Sequence, residues 1–212
     1  MCGRYAIFDE EDNIEIRKII NEIDEKFAGT PEREKMRTGE IFPTDIAPVL
    51  LSPKEEKGMI RAVPLKWGYP RWNSPGVIIN ARAETAGNKK IFRDSLVARR
   101  CAVPASGFFE WKKGDSLKKK EKYLFRLPDT SIIYMAGLYQ SFQDAKTGES
   151  HAAFVILTTA ANESVSPIHD RMPVILLPGE LHLWLNHEED GAHFLLDKTP
   201  GTTLLFAKGY HG

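Results

Sequence analysis

The run CAVPASGFFEW, residues 101–111, is apolar and aromatic over nearly its whole length. That composition predicts a strand. KKGDSLKKKEK, 112–122, follows with six lysines and reads as a solvated turn. YLFRL, 123–127, returns from it, so the region predicts a β-hairpin with a charged tip. Outward from this hairpin the same grammar repeats. SIIYMAGLYQ (131–140) and AAFVILTTA (152–160) are strand-like around a polar DAKTGES turn (144–150), and PVILL (173–177) is a further short strand. Towards the N-terminus, RYAIF (4–8), APVLL (47–51), RAVPLKWGY (61–69, with a proline expected to break it) and VIINARAET (77–85) also read as strands.

Helical periodicity is confined to a few places. In NIEIRKIINEIDEKF (13–27), Ile16, Ile19, Ile20, Ile23 and Phe27 form one stripe, with Asp9 or Asp12 available as N-cap. NKKIFRDSLVARR (88–100) places Ile91, Phe92 and Leu96 on one face. PGELHLWLN (178–186) and DGAHFLLD (190–197) read as short helices, and TTLLFAKGY (202–210) as a last strand. Residues 29–44 and PRWNSPG (70–76) are expected to be loops. Many strands with a few interspersed helices predict one α+β domain over 1–212, with a mainly antiparallel, barrel-like core and flanking helices.

The 212 residues are 42% apolar and 27% charged, enough for a sizeable core. Lys plus Arg and Asp plus Glu are 29 each, so net charge argues for no nucleic-acid partner; a basic surface would have to be local. Two cysteines, Cys2 and Cys101, make neither a disulfide framework nor a zinc spacing, and no metal or cofactor is expected. The N-terminus lacks the basic and apolar blocks of a signal peptide. No run approaches the ~18 apolar residues of a membrane span, so a soluble intracellular protein without a membrane or obligate protein partner is expected. Glycine-rich nucleotide-binding motifs and H-E-x-x-H are absent from the sequence.

Four polar residues interrupt apolar context: Cys2 behind the initiator, Asn80 in VIINARAET, Glu110 between Phe109 and Trp111, and His169 before an apolar strand. Each has a plain structural reading, as a buried thiol, a turn amide, a solvent-side carboxylate and a polar loop. Each also has a chemical one. Removal of Met1 would leave Cys2 with an α-amine and a thiol on one residue, a 1,2-aminothiol. A carboxyl among aromatics is expected to hold its proton to higher pH, and histidine titrates near neutrality.

MCGRYA (1–6), INARAET (79–85), ASGFFEW (105–111) and PIHDRMPVIL (167–176), in this order and spacing, resemble the SOS response-associated peptidase (SRAP) family. The likeness spans residues 2 to 176. It implies a protein that shields abasic sites in single-stranded DNA, with Cys2, Asn80, Glu110 and His169 as catalytic residues. It implies DNA contacts from Arg4, Pro43, Trp72, Arg82, Trp111, Thr158 and Arg171, and from Lys90 where an arginine is common. It further implies a thiazolidine crosslink. The α-amine, with a pKa of ~7.7–8.0, is neutral in roughly a quarter to a third of molecules near pH 7.4, against about a thousandth for lysine. Its attack on the ring-opened sugar aldehyde gives an imine, which the Cys2 thiol closes. Two other readings stay open: a cysteine peptidase using Cys2 and His169, with self-removal of Met1 as a special case, and a non-catalytic reader of modified or single-stranded DNA. The sequence departs from the family at GEIFPTD (39–45), where a YN-x-AP stretch is usual, and in a shorter C-terminal stretch lacking the usual asparagine.

Overall fold

The run 101–111 is not one strand but two, and the break at Ser106 organises the molecule. The structure, a computed structural model, describes residues 2–10, 13–53, 58–72, 74–112, 121–143, 148–177, 179–186 and 205–209. In chain order the elements are β1 (Tyr5–Ile7), α1 (Ile14–Phe27), α2 (Pro31–Glu34), β2 (Gly39–Ile41), β3 (Ile46–Leu51), β4 (Arg61–Trp67), β5 (Tyr69–Pro70), β6 (Val77–Ile78) and β7 (Asn80–Arg82). There follow α3 (Ala83–Ala86), α4 (Lys90–Ala98), β8 (Arg100–Ala105), β9 (Gly107–Lys112), β10 (Glu121–Arg126), β11 (Ile133–Gln143), β12 (Ser150–Ala160), β13 (Arg171–Pro173), β14 (Ile175–Leu176), α5 (Glu180–Leu185) and β15 (Phe206–Gly209).

β8 belongs to one sheet and β9 to another. The first sheet runs β13-β12-β4-β3-β8-β11-β14, and β11 also pairs β12, so β12, β4, β3, β8 and β11 close into a barrel. The second runs β15-β10-β9-β1-β2. Among the described residues the strands pair antiparallel except where β4 and β7 lie parallel along β12, and a single parallel bridge joins Met36 to Ile46. The fold class read from the sequence, mixed α and β with a mainly antiparallel barrel-like core, is the observed one.

The corner at Ser106 is fixed from β1 and the residue that follows it. Its amide donates to the Ala6 carbonyl at 2.7 Å, and its hydroxyl accepts from the Phe8 amide at 2.9 Å. A Cβ on Gly107 would stand 2.5 Å from the Phe125 carbonyl oxygen, so only glycine lets β9 lie this close to β10. The same apolar run therefore fills the barrel wall with β8 and then carries Glu110 into a separate sheet.

α1 covers β3 and β4 with Ile16, Ile19, Ile20 and Ile23, as its periodicity predicts. Burying each isoleucine contributes roughly 1.5–3 kcal/mol. Its N-cap is Asn13, whose side chain accepts from the Ile16 amide at 3.3 Å, rather than Asp9; Asp12 lies outside the described residues. Three further expectations are corrected. Residues 29–44 contain α2, capped by Thr30 with proline at its first turn, and β2. Pro64 does not break β4, because it sits opposite Pro48 in register, and the strand ends at Trp67. VIINARAET bends out of the sheet after Arg82 into α3. The hairpin tip at 113–120, the turn residues 144–147 and the helix expected at 190–197 lie outside the described residues.

Candidate active site between the two sheets

Cys2 stands just before β1, which lies between β9 and β2. Its side chain is fully buried, and the thiol donates to the Arg4 carbonyl at 3.6 Å. Burial pushes the thiol well above its ordinary range, and the Glu110 charge adds to that. Asn80, the first residue of β7, donates from Nδ2 to the Cys2 carbonyl at 2.8 Å. The Asn80 Oδ1 is buried with no hydrogen-bond partner among the described residues, so an acceptor stays open beside Cys2.

Glu110 lies in β9 with its side chain only 3% exposed. Burial pushes its carboxyl up to about 7, and Asp170 adds to the rise. The flanking aromatics signalled this, and the plain reading of a solvent-side carboxylate is set aside. His169 closes the turn that follows β12. The Asn162 Oδ1 accepts from the amides of Ser164 and Val165, both at 3.1 Å, and the His169 amide donates to the Val165 carbonyl at 3.0 Å.

The His169 Nε2 lies 3.8 Å from the Glu110 Oε2, beyond a direct hydrogen bond. Three contacts at Nδ1 make opposite demands: the Arg171 amide donates to it at 3.0 Å, while Asp170 Oδ1 at 3.0 Å and the Arg171 carbonyl at 3.3 Å would each need it to donate. The amide hydrogen is fixed by the peptide plane, whereas the Asp170 side chain is 80% exposed and can turn into water. With the shorter Arg171 amide bond made, Nδ1 is the acceptor and the ring's proton sits on Nε2, facing Glu110.

The sequence-predicted DNA-contacting residues fall into distinct settings. Arg171 makes a fork with Glu84, Nη1 to Oε1 at 2.7 Å and Nη2 to Oε2 at 2.9 Å, and Nη2 also donates to the Thr158 carbonyl at 2.6 Å. Thr158 is 1% exposed, and its hydroxyl donates to the Ala81 carbonyl at 3.5 Å. Arg4 donates to Glu40 at 3.1 Å and lies between two rings, 4.0 Å from the Phe42 centroid and 5.2 Å from that of Trp111. Lys122 shares Glu40 at 2.6 Å. Arg82 and Lys90 are exposed, and Pro43 is half-buried. Trp72 is 92% exposed beside a cleft of about 450 Å³ lined by Pro70, Arg71, Ile78, Ile91 and Phe142; the cleft does not include Cys2, Glu110 or His169.

The divergent GEIFPTD stretch forms a turn in which Thr44 has φ +77°. Pro43 precedes it, and the Asp45 amide donates back to the Phe42 carbonyl at 3.1 Å. A glycine or asparagine is usual at this position, and a β-branched residue there costs about 1–2 kcal/mol. The Thr44 amide offsets part of that by donating to the Trp67 carbonyl at 2.8 Å.

Sequence reasoning brought Cys2, Asn80, Glu110 and His169 to one place but missed Glu40, Glu84 and Phe42. Glu84 sits inside the INARAET motif, yet its partner lies 87 residues away and nothing local announces it.

The SOS response associated peptidase (SRAP) family model matches residues 1–207. The chain belongs to the SRAP family. Among SRAP relatives, "Abasic site processing protein YoqW" of Bacillus subtilis is 34% identical over 200 residues, covering 92% of this chain and 84% of that one. "Abasic site processing protein YedK" of Escherichia coli is 31% identical over 197 residues, covering 90% and 82%. "Abasic site processing protein HMCES" of Xenopus tropicalis is 28% identical over 180 residues, 69% of this chain and 53% of that protein. A crystal structure of a protein from Bacteroides thetaiotaomicron shares the fold, with TM-score 0.73 at 24% identity over 99% of this chain and 92% of its own. Among the described residues, no helix is long and apolar enough to cross a membrane, and no cluster of His, Cys, Asp and Glu is placed to hold a metal ion.

Proposed function

We propose that this SRAP protein binds single-stranded DNA at abasic sites and captures the open-chain sugar aldehyde on Cys2 as a thiazolidine. The names of its relatives support abasic-site DNA as the target. The observation that carries the chemistry is a buried carboxyl, Glu110, tuned to about 7 beside both Cys2 and His169.

The steps use these groups in turn. Met1 is removed, freeing the Cys2 α-amine. His169 passes its Nε2 hydrogen to the ring oxygen as the C1′–O4′ bond breaks, and Nε2 recovers the proton that the anomeric hydroxyl loses, so the ring is neutral before and after. The neutral amine attacks the aldehyde carbon, and the carbinolamine loses water to give an imine. The thiol sulfur then adds to the imine carbon; its proton passes through Glu110 to the nitrogen, which becomes the ring amine. The net balance is protein plus sugar minus one water. Asn80 holds the Cys2 carbonyl and offers Oδ1 to the substrate hydroxyls. Arg82 and Lys90 are exposed cations for phosphates, while Arg4 with Phe42 and Trp111 forms a cation–aromatic surface for the backbone and an unpaired base.

The buried thiol supports this order over a cysteine peptidase. A peptidase nucleophile needs its thiol pKa lowered, and here burial raises it. A thiol that acts second, on an imine, does not face that demand. Intact mass after mixing Met1-free protein with an abasic oligonucleotide tests the reading. The expected mass is the sum of the two minus one water, stable to heat. Turnover of unrelated peptides with no DNA adduct would replace it with the peptidase reading, and reversible binding alone with the non-catalytic reader.

A further inference from the structure

We propose that Glu84 is a positioning residue for His169, acting through Arg171; this rests on the crosslinking reading above. β12 runs between β7 and β13, and Thr158 faces Arg82 on one side and Pro173 on the other. The Arg171 side chain starts on β13, passes Thr158, and reaches Glu84 at the start of α3, just beyond β7. Its Nη groups make two bonds to the carboxylate and one to the Thr158 carbonyl, so three neighbouring segments are pinned by one guanidinium. Arg171 is also the residue whose backbone amide donates to His169 Nδ1 at 3.0 Å. Fixing its side chain fixes that amide, and that amide keeps the proton of the neutral imidazole on Nε2, facing Glu110 at 3.8 Å.

The pair is tight in its own right. The Arg171 guanidinium holds the Glu84 carboxyl below the usual range. With both Nη groups engaged and its charge compensated, Arg171 has less to give a phosphate than the exposed Arg82. Among the described residues the groups facing His169 include Glu110 from β9, the adjacent Asp170, and the Arg171 amide and carbonyl. Of these the two Arg171 backbone groups belong to a residue held by a bidentate ion pair, so Glu84 is the lever on ring orientation. Being 47% exposed on its side chain, it tolerates substitution without a core defect.

The test uses Glu84→Gln and Glu84→Asp in Met1-free protein, with wild type as reference. Single-turnover crosslinking at saturating abasic single-stranded DNA is expected to slow by on the order of 10-fold or more in Glu84→Gln, the scale of a catalytic group displaced by a fraction of an ångström. Affinity should change by no more than about twofold, and Glu84→Asp should recover part of the rate. Imidazole ¹⁵N shifts of His169 in DNA-free protein report which nitrogen carries the proton. The wild type should show a single Nε2–H tautomer and Glu84→Gln a mixture. A normal saturated rate, with tighter DNA binding or an unchanged tautomer, overturns the proposal and makes Glu84 a competitor of phosphate for Arg171. If wild type forms no adduct, the crosslinking reading fails, whereas the ¹⁵N measurement still decides whether Glu84 orients the ring.

Discussion

Cys2 and Cys101 are chemically alike and equally buried, yet their surroundings separate them. Both are fully enclosed, and burial pushes both thiols far up. Cys101 lies in the barrel wall on β8, opposite Gly137 in register; a Cβ on that glycine would meet its sulfur at 2.8 Å. Its own carbonyl accepts from the Trp184 indole at 2.8 Å. Around Cys2 stand the Arg4 carbonyl, the Asn80 amide and the Glu110 carboxyl. Burial of the sulfur therefore distinguishes nothing. What differs among the described residues is the carboxyl: Glu110 acts on Cys2, whereas the titratable neighbours of Cys101 are the Tyr5 and Tyr69 hydroxyls, which burial keeps protonated.

The sharpest way to break this contrast is to remove each sulfur. Cys2→Ala is expected to abolish the heat-stable DNA adduct, leaving at most a Schiff base trappable by borohydride. Cys101→Ala should crosslink at the wild-type rate while losing about 1–2 kcal/mol of stability to the small cavity. Denaturing gels and denaturant melts of both variants check it; an adduct at normal yield in Cys2→Ala reverses the assignment.

Next in size is Glu110→Gln, expected to slow single-turnover crosslinking by roughly 10²–10⁴. In wild type the rate should rise with pH through about 7 as Glu110 ionises. Stability should move the other way. The folded-state pKa lies above the unfolded one, so the folded chain binds more protons between about pH 4.5 and 7, and stability falls as pH rises across that window. Glu110→Gln should abolish this fall, and denaturant melts at pH 5 and pH 8 measure it.

Gly137→Ala sharpens the other half of the comparison. The new methyl would press on Cys101 Sγ and, at 3.0 Å, on the Val155 carbonyl oxygen. A loss of about 1–3 kcal/mol, seen as a lowered Tm, is expected, with crosslinking by the folded fraction unchanged. The smallest effect is that of Arg82→Ala or Lys90→Ala, which should weaken single-stranded DNA binding uniformly across sequences. In each variant the plot of log affinity against log salt should become shallower, by about 0.7 for every phosphate that the protein no longer neutralises. Fluorescence titrations at several salt concentrations read that slope.

The legible part of the molecule was what one segment decides by itself. The stripe of Ile16, Ile19, Ile20 and Ile23 identified α1, and the aromatics around Glu110 foretold a carboxyl that holds its proton. The β9–β10 hairpin followed from an apolar run, a charged tip and a returning strand. What could not be read depends on meetings at a distance. The sequence 101–111 is continuously apolar because both halves are buried, so nothing in its pattern marks Ser106 as the corner between two sheets; the Ala6 carbonyl and Phe8 amide that fix it are far away in the chain. Pro64 looked like a breaker because its partner across the ladder, Pro48, was unknown. Glu84 and Glu40 look like ordinary surface carboxylates until the fold delivers Arg171, Arg4 and Lys122 to them.

The complete enclosure of Cys2 also sets a clock. At roughly 5–20 residues per second, synthesis from position 2 to position 169 takes on the order of 10–30 s. Through that interval β9, the Glu110 carboxyl and the His169 turn have not all emerged, and the N-terminus cannot yet be walled in. An aminopeptidase acting at the ribosome meets Cys2 before its surroundings exist, whereas one acting on the finished protein meets a Cys2 already enclosed. The terminal amine that the proposed chemistry needs is therefore open to an aminopeptidase mainly before folding ends, and after that its release falls to the folded chain's own groups around Cys2.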